Sequence, residues 1–352
     1  MKLRSGFFIV AMSLLLGCAT SGKVKEVNAV EAAKSAGTES QVVVTPNSSS
    51  ESSASQVQAY AATNGMANAV IVKSHLDFLA SDALAGRETG TAGIRQAADY
   101  AIGIFKKAGT TPFYLNYQDD FDAKGAEAFN IVAKVTGTDP QLKEQYIIVG
   151  AHYDHIGSGE DVNGDTIANG ANDNASGSTA VLELAKYFAA NPPKRSLLFT
   201  LFSAEEKGLL GSKHLAERLA NENINVYTMF NIEMVGVPMT GKDYLLYLTG
   251  YEESNMAEMF NSYCDGKIIG FLPQAKEYNL FKRSDNYPFY ERLNIPAQTV
   301  SSFDFTNFEY YHHVDDEVQY MDIGHLTNVI NSLIPGIRGM ANDPQTPIKL
   351  YE

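Results

Sequence analysis

Three short runs constrain the fold of this chain more than any other feature: Tyr146–Val149, which is wholly apolar, and the largely apolar Ser196–Phe202 and Val226–Ile232, each of which gives way to ionisable residues. A strand with one face in water alternates apolar and polar residues, so an unbroken apolar strand has to be covered on both faces. Segments with helical period supply the cover. Val70–Ala80 lines up Ile71, His75, Leu76 and Leu79. Ile94–Ala108 lines up Ala98, Ala101, Ile102 and Phe105 before Gly109 stops it, and Ser176–Ala190 carries Val181, Leu184, Ala185 and Phe188. Further strands are predicted over Phe113–Tyr117, Phe129–Val135, Tyr244–Leu248 and Ala297–Ser301, with helices over Leu209–Leu219, Ser254–Tyr263 and Asp322–Ile334. This alternation predicts an α/β fold, a three-layer sandwich with a central mixed, largely parallel sheet flanked by helices.

The ends of the chain differ from its middle. Lys2 and Arg4 precede the apolar run Phe7–Leu16, which is too short to span a bilayer and leads into Leu15-Leu16-Gly17-Cys18. Residues 1–17 read as a lipoprotein signal peptide, with the lipid carried by Cys18. Residues 18–65 are rich in Ser, Ala, Asn and Glu without a sustained period, the composition of a flexible tether. Residues 66–352 form one folded domain. The expected location is therefore outside the cytoplasm, lipid-anchored in the envelope of a bacterium, in the periplasm or on the outer membrane. Any membrane contact is expected only through the lipid on Cys18. With Cys18 lipidated, Cys264 has no intramolecular partner for a disulfide. A formal charge of −14 repels phosphate backbones and excludes nucleic acid as a natural partner.

The ionisable residues fall where chemistry is expected. His152 and Asp154 follow the first apolar run, Glu205 and Glu206 the second, and Glu233 the third. In open α/β sheets, ligands sit in the crevice beyond the carboxyl ends of the strands. Asp173 opens the long helix, and the polar segment Tyr311-His312-His313-Val314-Asp315-Asp316 lies late in the chain. Alone, His152 reads as a satisfied buried histidine, Glu205-Glu206 as a solvated helix start and Asp173 as a helix cap. Together they are a nitrogen and oxygen donor set suited to divalent ions, zinc first. Two zinc ions bring more positive charge than Asp173, Glu206 and Glu233 return, and a bound hydroxide completes the balance. His75, His155, His214, His313 and His325 read as structural or surface residues.

Gly150-Ala151-His152-Tyr153-Asp154, Asn172-Asp173-Asn174-Ala175-Ser176-Gly177, Ser203-Ala204-Glu205-Glu206, Asn231-Ile232-Glu233-Met234-Val235-Gly236 and Arg283-Ser284-Asp285-Asn286-Tyr287-Pro288-Phe289 occur in an order that resembles the co-catalytic di-zinc aminopeptidase family. That superfamily includes bacterial leucyl aminopeptidases, glutamate carboxypeptidase II and the glutaminyl cyclases. The resemblance implies a zinc exopeptidase fold and an enzyme, a metallo-aminopeptidase acting on peptides with a free N-terminus. It implies that His152 and Glu233 bind one of two Zn2+ ions, that Glu206 and His312 bind the other, and that Asp173 bridges them. It further implies a cis Asp173-Asn174 peptide, Asp154 and Asp316 orienting His152 and His312, and Glu205 as general base toward metal-bound water. Tyr311 becomes the donor to the oxyanion. Glu233 stands where the family usually has Asp, and Asn286 where many members carry His. Two alternatives share the scaffold: a glutaminyl cyclase, whose relatives lean on Trp residues absent from this chain, and a catalytically inactive peptide-binding lipoprotein.

Overall fold

The computed structural model describes residues 66–352. The predicted signal peptide and tether lie outside the described residues.

The domain is built on a nine-stranded sheet. In chain order its strands are β1 (Thr111–Pro112), β2 (Gln118–Ala123), β3 (Ala126–Val135), β4 (Tyr146–His152), β7 (Ser196–Phe202), β8 (Val226–Glu233), β9 (Leu246–Leu248), β10 (Ile269–Gly270) and β11 (Ala297–Ser301). A separate hairpin is formed by β5 (Ser158–Val162) and β6 (Asp165–Ile167). The spatial order is β1-β3-β7-β4-β8-β11-β9-β10, with β2 paired to β3. The centre is parallel: β4 lies between β7 and β8, and β8 pairs β11. β3 and β9 run antiparallel to their inner neighbours, which makes the sheet mixed.

The helices are α1 (Ala69–Leu79), α2 (Ala92–Ala108), α3 (Gly177–Ala190), α4 (Leu210–Asn221), α5 (Met256–Ser262), α6 (Pro273–Glu277), α7 (Asn286–Leu293) and α8 (Ile323–Asn342). Residues of the central strands alternate between two cores, as the two-residue period of a strand requires. Ile147, Val149, Leu197, Phe199, Phe230 and Ile232 pack with α1, α2, α3, α5 and α8. Ile148, Leu198, Phe202 and Met229 pack with α4 and α7. That is why these strands are buried at nearly every position, and it establishes the sandwich.

The expected strand over Phe113–Tyr117 is a correction. Asn116 and Tyr117 take positive φ, and Leu115–Tyr117 forms a tight turn between β1 and β2. The true strand there, β2, reads Gln-Asp-Asp-Phe-Asp-Ala and pairs only with β3. α8 runs through Pro335 and ends eight residues beyond the predicted Ile334. No described helix is long and apolar enough to cross a membrane.

Candidate metal centre

Strand register brings the site residues level. His152 ends β4 and pairs with Phe202 of β7, while Gly150 pairs with Asn231 of β8. Glu233, the last residue of β8, therefore lies beside His152, and the loop after Phe202 carries Glu205 and Glu206 over the same edge. Close packing fixes that loop: a Cβ on Gly211 would lie 2.2 Å from the Ser203 carbonyl oxygen. Three non-glycine residues with left-handed φ adjoin or occupy the site: Ala204 (φ 57), Met234 (φ 46) and His312 (φ 55). Such conformations persist where the surroundings over-determine them, and they cluster at functional sites.

Asp173 reaches the same place from Ala171–Ser176, an irregular turn leading into α3. The Asp173-Asn174 peptide is cis, as expected. The turn is clipped to the chain after β8. Asn174 Nδ2 donates to the Ile232 carbonyl (3.0 Å), Asn174 Oδ1 accepts from Met234 N (3.2 Å), and Asn172 Oδ1 accepts from Gly236 N (2.9 Å). The two motifs are thus halves of one interlocked piece.

The side chains converge in two groups. His152 Nε2 lies 3.0 Å from Glu233 Oε1 and 3.2 Å from Asp173 Oδ1. His312 Nε2 lies 3.2 Å from Asp173 Oδ2 and 3.1 Å from Glu206 Oε2. The carboxylate of Asp173 faces both groups, one oxygen to each. Glu205 clusters with His152 and Glu233, within 4.8 Å of both through potential ligand atoms.

Several groups were not read correctly from the sequence. His155 is buried in the site rather than structural or superficial: its Nδ1 lies 3.0 Å from Glu206 Oε1 and 3.8 Å from Asp173 Oδ2. The Asp316 carboxylate accepts from the backbone N–H groups of Asn172 (2.7 Å) and Asp173 (2.9 Å). Among the described residues it has no hydrogen bond to His312, so it positions Asp173 instead. Asp154 lies 3.7 Å from His152 Nδ1, and its carboxylate also accepts from Glu205 N (3.1 Å), tying Glu205 and the histidine together. Ser284 donates to Glu233 Oε2 (2.8 Å) and holds the longer side chain that replaces the usual Asp. Asn286 donates to the Phe281 and Ala297 carbonyls and accepts from Thr299, so it braces the wall of the site. Tyr311 stacks on His312, ring centroids 4.0 Å apart, and lines the pocket with both groups.

Arg87 had no sequence signal at all. It is 1% exposed, and its guanidinium donates to the backbone carbonyls of Tyr153 (3.0 Å), Asn169 (2.6 Å), Gly170 (3.0 Å) and Leu79. One buried cation thereby anchors the loops that carry Asp154 and Asp173. Arg87→Met is expected to lower Tm by on the order of 10 °C, because the buried carbonyls lose their donors. Thermal unfolding of the variant checks this, and an unchanged Tm would refute the anchoring role.

Acidic groups outnumber bases in this space, and their proton affinities show it. Burial, with Asp285, Glu233 and Glu206 close by, pushes Glu205 well above the ordinary carboxylate range. Burial likewise raises Asp154 to about 6, and Asp285 and Asp316 to about 7. Burial opposes charge on His312, yet Asp173 and Glu206 lift it to about 10; His152 is also raised well above normal despite burial, chiefly by Glu233 and Glu205. Asp173, hydrogen-bonded to both imidazoles, is held well below the carboxylate range against the opposing effect of burial. Buried carboxylates in such excess, arranged with imidazoles about one shared aspartate, fit a pair of divalent cations that would supply the missing positive charge.

The raised groups have a measurable consequence. Asp285 and Asp316 bind protons more tightly when folded, so their contribution to stability is lost as pH rises toward about 7. The raised histidines contribute below their unfolded pKa of about 6.5 and lose that contribution above it, His312 through about 10. Both act in one direction, so the metal-free chain should lose on the order of 5 °C in Tm between about pH 6 and 9, and the zinc-loaded chain less. A metal-free Tm that rises over that range would contradict the electrostatics.

The sequence model of peptidase family M28 matches residues 130–335, more than half of the chain. The leupeptin-inactivating enzyme 1 of Streptomyces exfoliatus is 33% identical over 242 residues, covering 67% of this chain and 50% of that protein. A probable zinc metalloprotease of Pyrenophora tritici-repentis is 43% identical over 107 residues, 30% of this chain and 24% of that one. A probable leucine aminopeptidase of Trichophyton verrucosum is 29% identical over 222 residues, 59% of this chain and 58% of that one. The chain spans less than two thirds of the length of each. Among solved structures, an aminopeptidase from Aneurinibacillus sp. strain AM-1 has the same fold (TM-score 0.61, 19% identity, 80% of this chain and 96% of that one). So does the glutaminyl cyclase of Porphyromonas gingivalis (TM-score 0.59, 17% identity, 77% and 97%).

Proposed function

The chain belongs to peptidase family M28, and from that premise we propose that it is a zinc-dependent aminopeptidase that removes N-terminal residues from peptides outside the cytoplasm. The observation that carries this reading is the divided carboxylate of Asp173, with Oδ1 turned to His152 and Oδ2 to His312. A residue so placed would be able to serve two ions at once. In this reading His152 and Glu233 hold one zinc, Glu206 and His312 the other, and His155 braces Glu206 from behind. Zinc bound there would polarise the scissile carbonyl and make water nucleophilic near neutral pH.

The chain's own residues perform the proton work. Glu205, buried beside His152 and Glu233, takes the proton from the attacking water and delivers it to the leaving amine. Asp154 fixes the Glu205 backbone, which keeps the carboxylate in place. The Tyr311 phenol, held against His312, donates to the oxygen that gains charge. Tyr247, Leu280, Phe303 and Phe305 give the pocket an apolar wall suited to an uncharged N-terminal side chain. Export and lipidation of Cys18 complete the proposal, and the motif at residues 15–18 supports them.

The test is mass spectrometry of a peptide pool incubated with the full chain and zinc. The pool includes N-terminal Gln peptides and N-acetylated controls. Stepwise loss of N-terminal residues from free-amine peptides alone is the expected result. Ammonia loss confined to Gln peptides would identify a cyclase instead, and trimming from the carboxyl end a carboxypeptidase. An untouched pool with zinc bound would favour a peptide-binding lipoprotein.

A further inference from the structure

An open groove leaves the catalytic pocket past Glu205 and Glu206; its far part is lined by Lys213 and Lys282, and Arg283 is shared by groove and pocket. All three cations are exposed. None of the three has an ion-pair partner among the described residues. Several other cations are engaged by acids: Lys207 with Glu88, Lys276 with Glu252, Arg218 with Asp119 and Glu222, Arg292 with Glu217. Lys213 Nζ donates only to the Gly208 carbonyl (2.9 Å), and Lys282 lies over the Tyr287 ring at 5.6 Å. Arg283 has no ion-pair partner among the described residues. Glu205 and Glu206 line the groove where it meets the pocket, and beside them three cations without ion pairs offer positive charge to whatever lies in it.

The position of Glu205 gives the groove a direction. A base that hands its proton to the leaving amine stands on the leaving-group side of the scissile bond, and the groove begins at Glu205. We propose that this groove binds a carboxylate on the departing portion of the substrate. Its source is either an acidic side chain just after the scissile bond or the terminal carboxylate of a di- or tripeptide. The inference rests on the aminopeptidase reading and adds its substrate class: short or acidic peptides. Arg283 presents a planar fork that matches a carboxylate, and the two lysines add point charge.

Two matched pairs test it on the zinc-loaded full chain: Leu-Asp-amide against Leu-Asn-amide, and Leu-Gly against Leu-Gly-amide. Exposed ion pairs are individually weak, so together the cations should favour the carboxylate member of at least one pair by roughly five- to ten-fold in kcat/KM, chiefly through KM. The preference should shrink toward parity at about 0.5 M salt, where the Debye length falls to a few ångströms. It should also collapse in Lys213→Gln/Lys282→Gln/Arg283→Gln, and in part in Lys282→Gln alone. The pair that shows the preference identifies the source of the carboxylate. Parity in both pairs, or a preference that the triple variant keeps, overturns the proposal. Hydrolysis of all four substrates without charge preference would leave the aminopeptidase reading standing. Hydrolysis of none, with zinc bound, would remove both.

Discussion

Glu205→Gln is expected to lower kcat by about three orders of magnitude while the chain keeps its zinc. The substitution preserves shape and removes only the ability to carry a proton, so the Asp154 contact to the Glu205 backbone survives. Metal content by elemental analysis and kcat from a peptide assay, measured on the same preparation, separate the two roles. Glu205 also clusters with His152 and Glu233 closely enough to ligate a cation. Loss of zinc in the variant would therefore make it a ligand, and full activity would remove it from the chemistry altogether.

Asp173→Ala should instead lose metal. Asp173 is the one side chain turned to both histidine groups, and its backbone N–H is fixed by Asp316. Removing a residue that merely supports a ligand costs 10–100-fold in affinity, so removing one that serves two ions should weaken zinc binding by at least about 100-fold. Competition with a chromophoric chelator measures this directly. A fully metallated Asp173→Ala chain would refute the bridging role. Asp316→Asn should lie between native and Asp173→Ala, because it loosens the backbone of Asp173 without removing a ligand.

Much of this architecture was visible in the sequence, for a reason that also limits such reading. Ser196–Phe202 and Ala297–Ser301 match their strands residue for residue; both are buried at every position and are bounded by charged or Pro and Ser residues that mark their edges. β2 was missed because an edge strand paired only to β3 can be polar throughout. The expected strand at Phe113–Tyr117 failed because aromatic content says nothing about the left-handed backbone at Asn116. Within the site, residues at strand ends were legible because an acid after an apolar run is costly unless it is used. His155 follows the same strand by three residues, but its loop could point either way. Arg87 looked like any surface cation, since its role lies in backbone carbonyls that no side-chain pattern encodes. The Asp316 partner was mistaken because proximity to His312 in sequence does not predict which donor its carboxylate meets.

The span between Arg87 and Asp316 also bears on when the site can form. Arg87 grips the Gly170 carbonyl from 83 residues upstream, and Asp316 holds Asn172 N from 144 residues downstream. A growing chain lacks the latter clamp, and His312 with it, until nearly all of the domain has emerged. A fragment ending before this segment lacks both the clamp on Asn172 N and the second histidine group, so the two groups meet only once it is present. If the proposed peptidase activity holds, a nascent chain would lack it until that late segment joins the fold.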